Sequence, residues 1–233
     1  MFTISDEFQR LYPDAAAGFL AMRGVANPAT HPGLDQLRTR TEQDLRARFA
    51  GADRRVLLAL PHVQANAAYY RRFDKTYHVV LQLESVALKG KPIPRVSTLV
   101  EAMFIAELRN QLLTAGHDLA VLRPPVTVGV AGGTERYTLL NGRDQALKAG
   151  DMFMQDGEGV ISSVLYGPDR RTRILPGTTA VLFAVYAPAG VAETSVRRHL
   201  EEIQAAVRLI APEASTEALT LCPSPDYPRK NRE

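Results

Sequence analysis

The spacing of apolar residues changes near Gly116, and this change limits the chain to a mixed fold. Before it, apolar side chains recur mostly at helical intervals, and Thr98 followed by Glu101 predicts the start of a helix. After it, short apolar segments are separated by Asn141-Gly142 and Asp156-Gly157, dipeptides typical of two-residue hairpin turns. We therefore expect an α+β fold, in which a helical N-terminal half packs on a largely antiparallel β-sheet.

The clearest helix of the sequence lies near the C-terminus and is expected to close the fold. Five apolar residues recur there at steps of four and three and form one face: Val196, Leu200, Ile203, Val207 and Ile210. The sequence predicts one domain over residues 1–211, with a helical part over about 1–113, a sheet-rich part over about 114–190 and a closing helix over about 192–210. The proline-rich and charged residues 212–233 are expected to form a loosely held tail.

The composition excludes several classes of protein. Hydrophobic residues make up 45% and charged residues 23% of the 233 residues, as in soluble globular domains and unlike a disordered chain. The longest uncharged apolar stretch, Ala180 to Ala192, has 13 residues, whereas a membrane span needs about 20. The single cysteine, Cys222, cannot form an internal disulfide, and Asp6 and Glu7 stand where a signal peptide would carry lysines. We expect a cytoplasmic protein that does not contact a membrane.

Positive charge is concentrated in one region. Residues 36–95 carry twelve Lys or Arg against five acids, a charge of +7, whereas residues 1–35 and 96–233 each carry −2. Such a region is typical of a surface that contacts nucleic-acid phosphates, and the alternative is the solvated face of a helix. The side chains expected to contact RNA are Arg46, Arg54, Arg55, Arg71, Arg72, Lys75, Lys89 and Lys91.

Common catalytic motifs are missing from the sequence. It has no Gly-x-x-x-x-Gly-Lys phosphate loop and no Gly-x-Ser-x-Gly elbow. Its five histidines never stand at metal-ligand spacing from one another or from Cys222. We therefore expect neither a metal site nor a cofactor.

The first candidate site is the joint Leu113–Asp118 between the predicted helix and the first strand. A loop of this kind can aim Thr114, His117 and Asp118 into a cleft, and Gly116 lets a ligand approach the backbone. His117 would orient water or bind a carboxylate. The alternative is that Gly116 ends the helix and Asp118 bonds local backbone amides.

A pair of serines marks the second candidate site. Ser162 and Ser163 lie in an apolar strand, which is unusual because buried hydroxyls need hydrogen-bond partners. Their small side chains would leave space beside the sheet, which Tyr166 and Tyr186 could line. The alternative is a half-exposed strand with no ligand.

The order of these elements and several strings resemble proteins with a B3/4 domain, relatives of the editing domain in the beta subunit of bacterial phenylalanyl-tRNA synthetase. The run from Tyr70 to Asp118, with its Lys-Gly-x-x-x-Pro turn, and the GPDRRT string at 167–172 carry the resemblance, which covers roughly residues 5–210. In the synthetase this domain hydrolyses tyrosine mistakenly attached to phenylalanine tRNA. The resemblance implies an α+β fold with an amino-acid pocket between the helical half and the sheet.

Individual positions follow from the same resemblance. Asp118 matches the aspartate of the family's Pro-Leu-His-x-Phe-Asp string, and the histidine is displaced here to His117. The family's Ala-Gly pair falls near Ser162 and Ser163. Where the family carries a glutamate in a later strand, this chain has Phe183-Ala184-Val185, a departure from the family that leaves the substrate amino acid open.

Together these features lead to the hypothesis of an editing-type aminoacyl-tRNA deacylase that acts in trans on a mischarged tRNA. His117 and Asp118 would be its catalytic residues, one placing water and the other orienting the loop. The residues expected to bind the substrate, with the two acids contacting its ammonium group, are Thr114, Gly116, Glu135, Asp156, Ser162, Ser163, Tyr166 and Tyr186. The alternative is a non-catalytic module that binds an amino acid, a small metabolite or tRNA in the same pocket.

Overall fold

The computed structural model describes residues 2–222 of the chain. The α-helices of this part are α1 (Asp6–Leu11), α2 (Pro32–Arg48), α3 (Arg54–Leu58), α4 (Pro61–Arg71), α5 (His78–Leu83), α6 (Thr98–Asn110) and α7 (Glu193–Ile210). The strands are β1 (Phe2–Ile4), β2 (Ala16–Arg23), β3 (Thr114–Asp118), β4 (Val126–Val130), β5 (Arg136–Thr138), β6 (Asp144–Ala146), β7 (Met152–Asp156), β8 (Gly159–Ser163), β9 (Gly167–Pro168), β10 (Ala180–Ala187) and β11 (Ser215–Cys222).

Two sheets carry most of the strands. One has the order β11-β2-β10-β3 and is antiparallel throughout. The other has the order β1-β4-β7-β8-β9, in which β1 and β4 are parallel and the other pairs antiparallel. With the β5–β6 hairpin and the helices, this arrangement confirms the predicted α+β class.

The four-stranded sheet is the middle layer of the molecule. Along β10, Val181, Phe183 and Val185 pack into the core shared with α2, α6 and α7, while Leu182 and Tyr186 pack into the core shared with the five-stranded sheet. Because both faces are covered, β10 is apolar at every position instead of alternating.

Gly18 sets how closely α7 approaches the sheet. A Cβ added at Gly18 in β2 would stand 2.5 Å from Val196 Cγ1 and 3.0 Å from Leu200 Cδ1. Only glycine therefore allows the apolar face of α7 to lie this close to β2.

Helix α6, which leads into the candidate site, begins differently from the prediction. Ser97 is the residue before its first turn, and Asn27 Oδ1 accepts the Leu99 N–H at 3.0 Å from a distant loop. Glu101 does not cap the helix: it is buried beside Arg38, with Nε and Oε2 4.0 Å apart. The predicted capping box is therefore wrong, because a tertiary contact supplies the acceptor.

Two predicted boundaries are also wrong. The part assigned mainly to helix, residues 1–113, contains β2, a central strand of the four-stranded sheet. The predicted tail, residues 212–233, contains β11, which pairs with β2 from Ser215 to Cys222 and extends the sheet beyond residue 211. Residues 223–233 of that tail lie outside the described part of the chain.

Several local predictions are confirmed. Asn141-Gly142 lies in the turn between β5 and β6, where Gly142 has a φ of +83°, and Asp156-Gly157 spans the last residue of β7 and the first residue of the turn to β8. The amphipathic closing helix is α7. Helix α5 continues directly into a π-helical turn over Glu84–Leu88. Within residues 2–222, no helix is both long and apolar enough to cross a bilayer.

Candidate functional site

A cleft of about 470 Å³ opens between the helical layer and the strands, beside β3. Helices α5 and α6, strand β3 and the segments around β9 form its walls, and Ser163 and Tyr186 contribute from β8 and β10. Its surface is mainly apolar, and the apolar side chains include Val100, Met103, Phe104, Leu113, Leu140 and Ile174. Its size and lining are those of a small-molecule site.

Strand β3 is the edge strand of its sheet, and its backbone faces the cleft. The Thr114 N–H donates to Glu107 Oε1 at 2.7 Å and the Asp118 N–H to the Thr172 carbonyl at 2.7 Å, both away from β10. Because N–H groups alternate between the two edges of an antiparallel strand, the Gly116 N–H points to the same open edge. A Cβ at Gly116 would stand 2.8 Å from Ile174 Cδ1 and 3.1 Å from Met103 Sδ, so glycine lets these two side chains of the cleft wall pack directly against β3.

This segment was predicted as a loop and is a strand. Helix α6 ends at Asn110, and Gln111, in the left-handed conformation with a φ of +54°, terminates it. Gly116 is therefore not the helix cap that the alternative interpretation required. Thr114 and Gly116 line the cleft, as the prediction of a ligand-contacting segment requires.

Glu107 is a buried acid in the wall of the cleft that the sequence analysis missed. It lies on α6, is 2% exposed and accepts the Thr114 N–H. Burial raises its pKa to about 8, while that hydrogen bond opposes the shift. A signal for this residue existed, because Glu107 interrupts a helix whose other central residues are almost all apolar.

The two serines of β8 have separate partners. Ser163 Oγ donates to Asp151 Oδ2 at 2.5 Å, and Asp151 Oδ1 also accepts the Tyr69 hydroxyl at 2.6 Å. Burial raises the pKa of Asp151 to about 6, an effect that its hydrogen bonds reduce. Ser162 Oγ lies 2.5 Å from the Tyr186 hydroxyl. Ser163 and Tyr186 line the cleft, whereas Ser162 does not.

His117 and Asp118 lie outside the cleft lining. The Thr172 hydroxyl donates to the Asp169 carboxylate, so the His117 Nδ1–H donates to Thr172 Oγ1 at 2.7 Å. His117 is completely buried, which lowers its pKa to about 3, and its Nε2 has no partner in the described chain. Asp118 accepts the Thr178 hydroxyl at 2.7 Å and the N–H of Ala120. Both side chains thus join β3 to the segment that follows β9.

The remaining predicted substrate contacts also lie away from the cleft lining. Glu135 accepts three N–H groups of its own turn, from residues 132–134. Asp156 pairs with Arg171 at 2.7 Å, and Tyr166 lies under the Lys75 ammonium at 4.7 Å from its ring centroid. The structure therefore brings together only Thr114, Gly116, Ser163 and Tyr186 of the predicted residues.

The cations predicted to bind RNA fall into two groups. The first lies around α2, α3 and the π-helical turn and consists of Arg46, Arg54, Arg55, Lys89 and Lys91. Ion pairs or backbone carbonyl groups hold the side chains of Arg46, Arg54, Arg55 and Lys89. The second follows the end of α4 and consists of Arg71, Arg72 and Lys75. A further arginine, Arg173, lines the cleft and donates to the carbonyl group of Arg170.

The chemistry available in the described residues is limited. No group of three His, Cys, Asp or Glu side chains within residues 2–222 is arranged to hold a metal ion. The cleft offers the Gly116 N–H, hydroxyl groups, the buried Glu107 carboxyl group, the side chains of His78, Gln82 and Arg173, and a mainly apolar surface. Such a set suits recognition of a small polar group attached to an apolar body.

The fold and cleft define the class of the protein as an α+β domain with a ligand-sized site beside an edge strand. No protein-family model matches the chain. It is 36% identical over 107 residues to the phenylalanine–tRNA ligase beta subunit of Anaeromyxobacter dehalogenans (strain 2CP-C), a match that covers 42% of this chain and 13% of that protein.

A solved structure resembles nearly the whole chain. The N-terminal fragment of the phenylalanyl-tRNA synthetase beta subunit from Pyrococcus horikoshii superposes with a TM-score of 0.50 at 11% identity, covering 96% of this chain and 54% of that one. The two likenesses confirm the predicted resemblance to a domain of the phenylalanyl-tRNA synthetase beta subunit. The chain corresponds to a small part of the curated relative's length.

Proposed function

We propose that this domain binds the aminoacylated 3′ end of a tRNA in the cleft and hydrolyses a mischarged amino-acid ester in trans. Both proteins that it resembles are subunits of a tRNA ligase. The cleft has room for an amino-acid side chain and presents an apolar surface to it. This function would place the protein in the cytoplasm.

The observation that carries the proposal is the open edge of β3 at Gly116. An aminoacyl ester is already activated, so its hydrolysis needs mainly a placed water, a donor for the developing oxyanion and exclusion of bulk solvent. The Gly116 N–H points to the cleft edge of the strand and would donate to the carbonyl oxygen of the ester. The terminal ribose hydroxyl of the tRNA would assist.

In this proposal His117 and Asp118 are positioning residues. Through Thr172 and Thr178 they connect β3 to the segment that carries Arg173 and its neighbour Ile174, two parts of the cleft wall. Loss of either contact would move the Gly116 N–H relative to the opposite wall. Their effect on hydrolysis is therefore expected to be indirect.

Phosphate contacts would hold the tRNA near the cleft. Arg173 lines the cleft, and Lys75 contacts Tyr166, whose N–H donates to Ser163 Oγ. A surface of this kind gives an affinity that falls steeply with salt concentration. An affinity that hardly changes with salt would contradict the phosphate contacts.

The test of the function is a deacylation assay with a panel of misacylated tRNAs. We expect the wild-type protein to release at least one amino acid, and Gly116→Ala to slow the release because the added methyl group would displace Ile174 and Met103, two side chains of the cleft wall. Gly177→Ala is the matched control, because a Cβ there meets no atom within 4 Å. No release from any member of the panel would contradict the enzymatic proposal.

A second candidate function is binding without turnover. The placement of His117 and Asp118 outside the cleft lining favours it, because no histidine–aspartate pair is left to activate water there. The same assay separates the two functions. A binding module would protect the aminoacyl-tRNA ester from spontaneous hydrolysis, whereas a deacylase would accelerate its loss.

A further inference from the structure

The hydrogen bond between Glu107 and the Thr114 N–H does not explain why this buried position carries a carboxyl group. Glu107 is 2% exposed, it lies in the wall of a mainly apolar cleft, and its side chain accepts a hydrogen bond from the Thr114 N–H. The amide oxygen of a glutamine could accept that bond equally well. A carboxyl group in such a place is costly to ionise unless a cation accompanies it.

No cation of the described residues is paired with Glu107. No Lys or Arg of residues 2–222 forms an ion pair with Glu107, and none contributes to its pKa. Arg173 lines the same cleft but donates to the Arg170 carbonyl. The carboxyl group is therefore held on a rigid helix, in contact with a ligand-sized space and without a counter-ion.

We infer that Glu107 is the specificity-determining counter-ion for the protonated amine of the ligand, so that the cleft takes aminoacyl groups with a free α-ammonium and an uncharged apolar side chain. The inference rests on the proposed function and names its substrate class. The apolar lining from α6 and the segment after β9 would receive the side chain.

The spacing along β3 agrees with this assignment. Glu107 Oε1 stands at the Thr114 N–H, and the Gly116 N–H lies two residues further along the same strand edge, about 6.8 Å away. One aminoacyl group can bridge this distance, with its ammonium at Glu107 and its ester oxygen at Gly116. The carboxyl group thus fixes which end of the ligand reaches the proposed oxyanion donor.

Binding of a cation should also change the protonation of Glu107. Because burial raises its pKa to about 8, the empty site holds mainly the protonated acid at neutral pH, and an ammonium ligand would release that proton. The other titratable groups around it are His78 on α5, Arg173, and the hydroxyls of Tyr70, Tyr77 and Tyr186. These groups are all present in a Glu107→Gln variant. The difference in proton release between the variant and the wild-type protein therefore measures the contribution of Glu107.

The experiment uses two probes that differ only by the amine, L-leucinamide and 4-methylpentanamide, with calorimetric binding to the full chain. We expect the wild-type protein to prefer L-leucinamide by about tenfold or more, with proton release seen in buffers of different ionisation enthalpy. Glu107→Gln should lose the preference and the proton release. Glu101→Gln, which removes a buried carboxyl group of the same helix outside the cleft, should keep both.

Three outcomes would overturn the inference: equal affinity of the wild-type protein for the two probes, an unchanged preference in Glu107→Gln, or no binding of either probe. Circular dichroism of each variant verifies that it is folded. The deacylation assay tests the proposed function separately from the role of Glu107. Binding that depends on the amine, without any hydrolysis, would contradict only the proposed enzymatic activity. Equal hydrolysis of aminoacyl-tRNA and its N-acetylated form removes only the role of Glu107.

Discussion

The pH dependence of stability should report the state of Glu107 directly. An exposed glutamate titrates near pH 4.5, whereas burial raises the pKa of Glu107 to about 8 in the folded chain. Between these values the folded state keeps a proton that the unfolded state has released, so the free energy of unfolding falls as the pH rises. Above about pH 8 Glu107 is ionised in both the folded and the unfolded state, and the free energy of unfolding falls no further through this group.

The magnitude follows from the two pKa values. At about 1.4 kcal/mol per pH unit, Glu107 should remove about 4 kcal/mol of stability between about pH 5 and about pH 8. Glu107→Gln lacks this titration and keeps the acceptor for the Thr114 N–H. The stability of the variant relative to the wild-type protein should therefore increase by about this amount over the same range.

Urea unfolding of both proteins at a series of pH values measures this difference. Titrations of His117, His199 and Asp151 are common to the two proteins and cancel in it, and equal m-values verify that the same surface unfolds. Two free-energy curves that stay parallel from about pH 5 to about pH 8 would refute the reasoning, because Glu107 would then titrate alike in both states.

Three further predictions concern packing and hydrogen bonds. Gly18→Ala should lower the free energy of unfolding by about 1–3 kcal/mol because the new Cβ overlaps α7. The control Gly177→Ala should change that free energy by less than about 0.5 kcal/mol. Equal melting temperatures of the two variants would contradict the prediction. Thr172→Val should lower the free energy of unfolding in urea by about 1–3 kcal/mol, because it leaves the buried His117 Nδ1–H without an acceptor. An unchanged urea midpoint would show that this hydrogen bond does not contribute to stability. Gly116→Ala should weaken L-leucinamide binding by about tenfold in calorimetry, and an unchanged affinity would place the ligand elsewhere.

The parts of the fold that the sequence predicts are those with local signals. Helix α7 repeats its apolar residues at helical spacing, and Asn141-Gly142 supplies the backbone freedom that a tight turn requires. Strand β2 has no such signal. Its residues Ala16–Met22 are buried on both faces, so the apolar run shows no alternation that would distinguish it from a helix. Strand β11 is held by pairing with β2, a contact almost 200 residues away along the chain.

The candidate site also contains residues that local sequence signals predict and residues that only the tertiary structure brings to it. Gly116 and Ser163 were predicted because each is unusual in its own segment, and both line the cleft. Glu107 was missed because an acid on a helix usually faces water, and only the packing of α5 and β3 against α6 buries it. His117 has the residue type of a catalytic group, but its neighbours across the two sheets enclose it completely.

The central claim is that the cleft beside β3 holds an aminoacyl group attached to adenosine. The most direct measurement is a crystal structure with 3′-(L-leucylamino)-3′-deoxyadenosine, in which an amide replaces the labile ester. The account predicts the leucyl side chain against α6, its ammonium at Glu107 and its carbonyl at the Gly116 N–H. Ligand density in the groove between α2, α6 and α7, or a cleft left empty at saturating ligand, would contradict it.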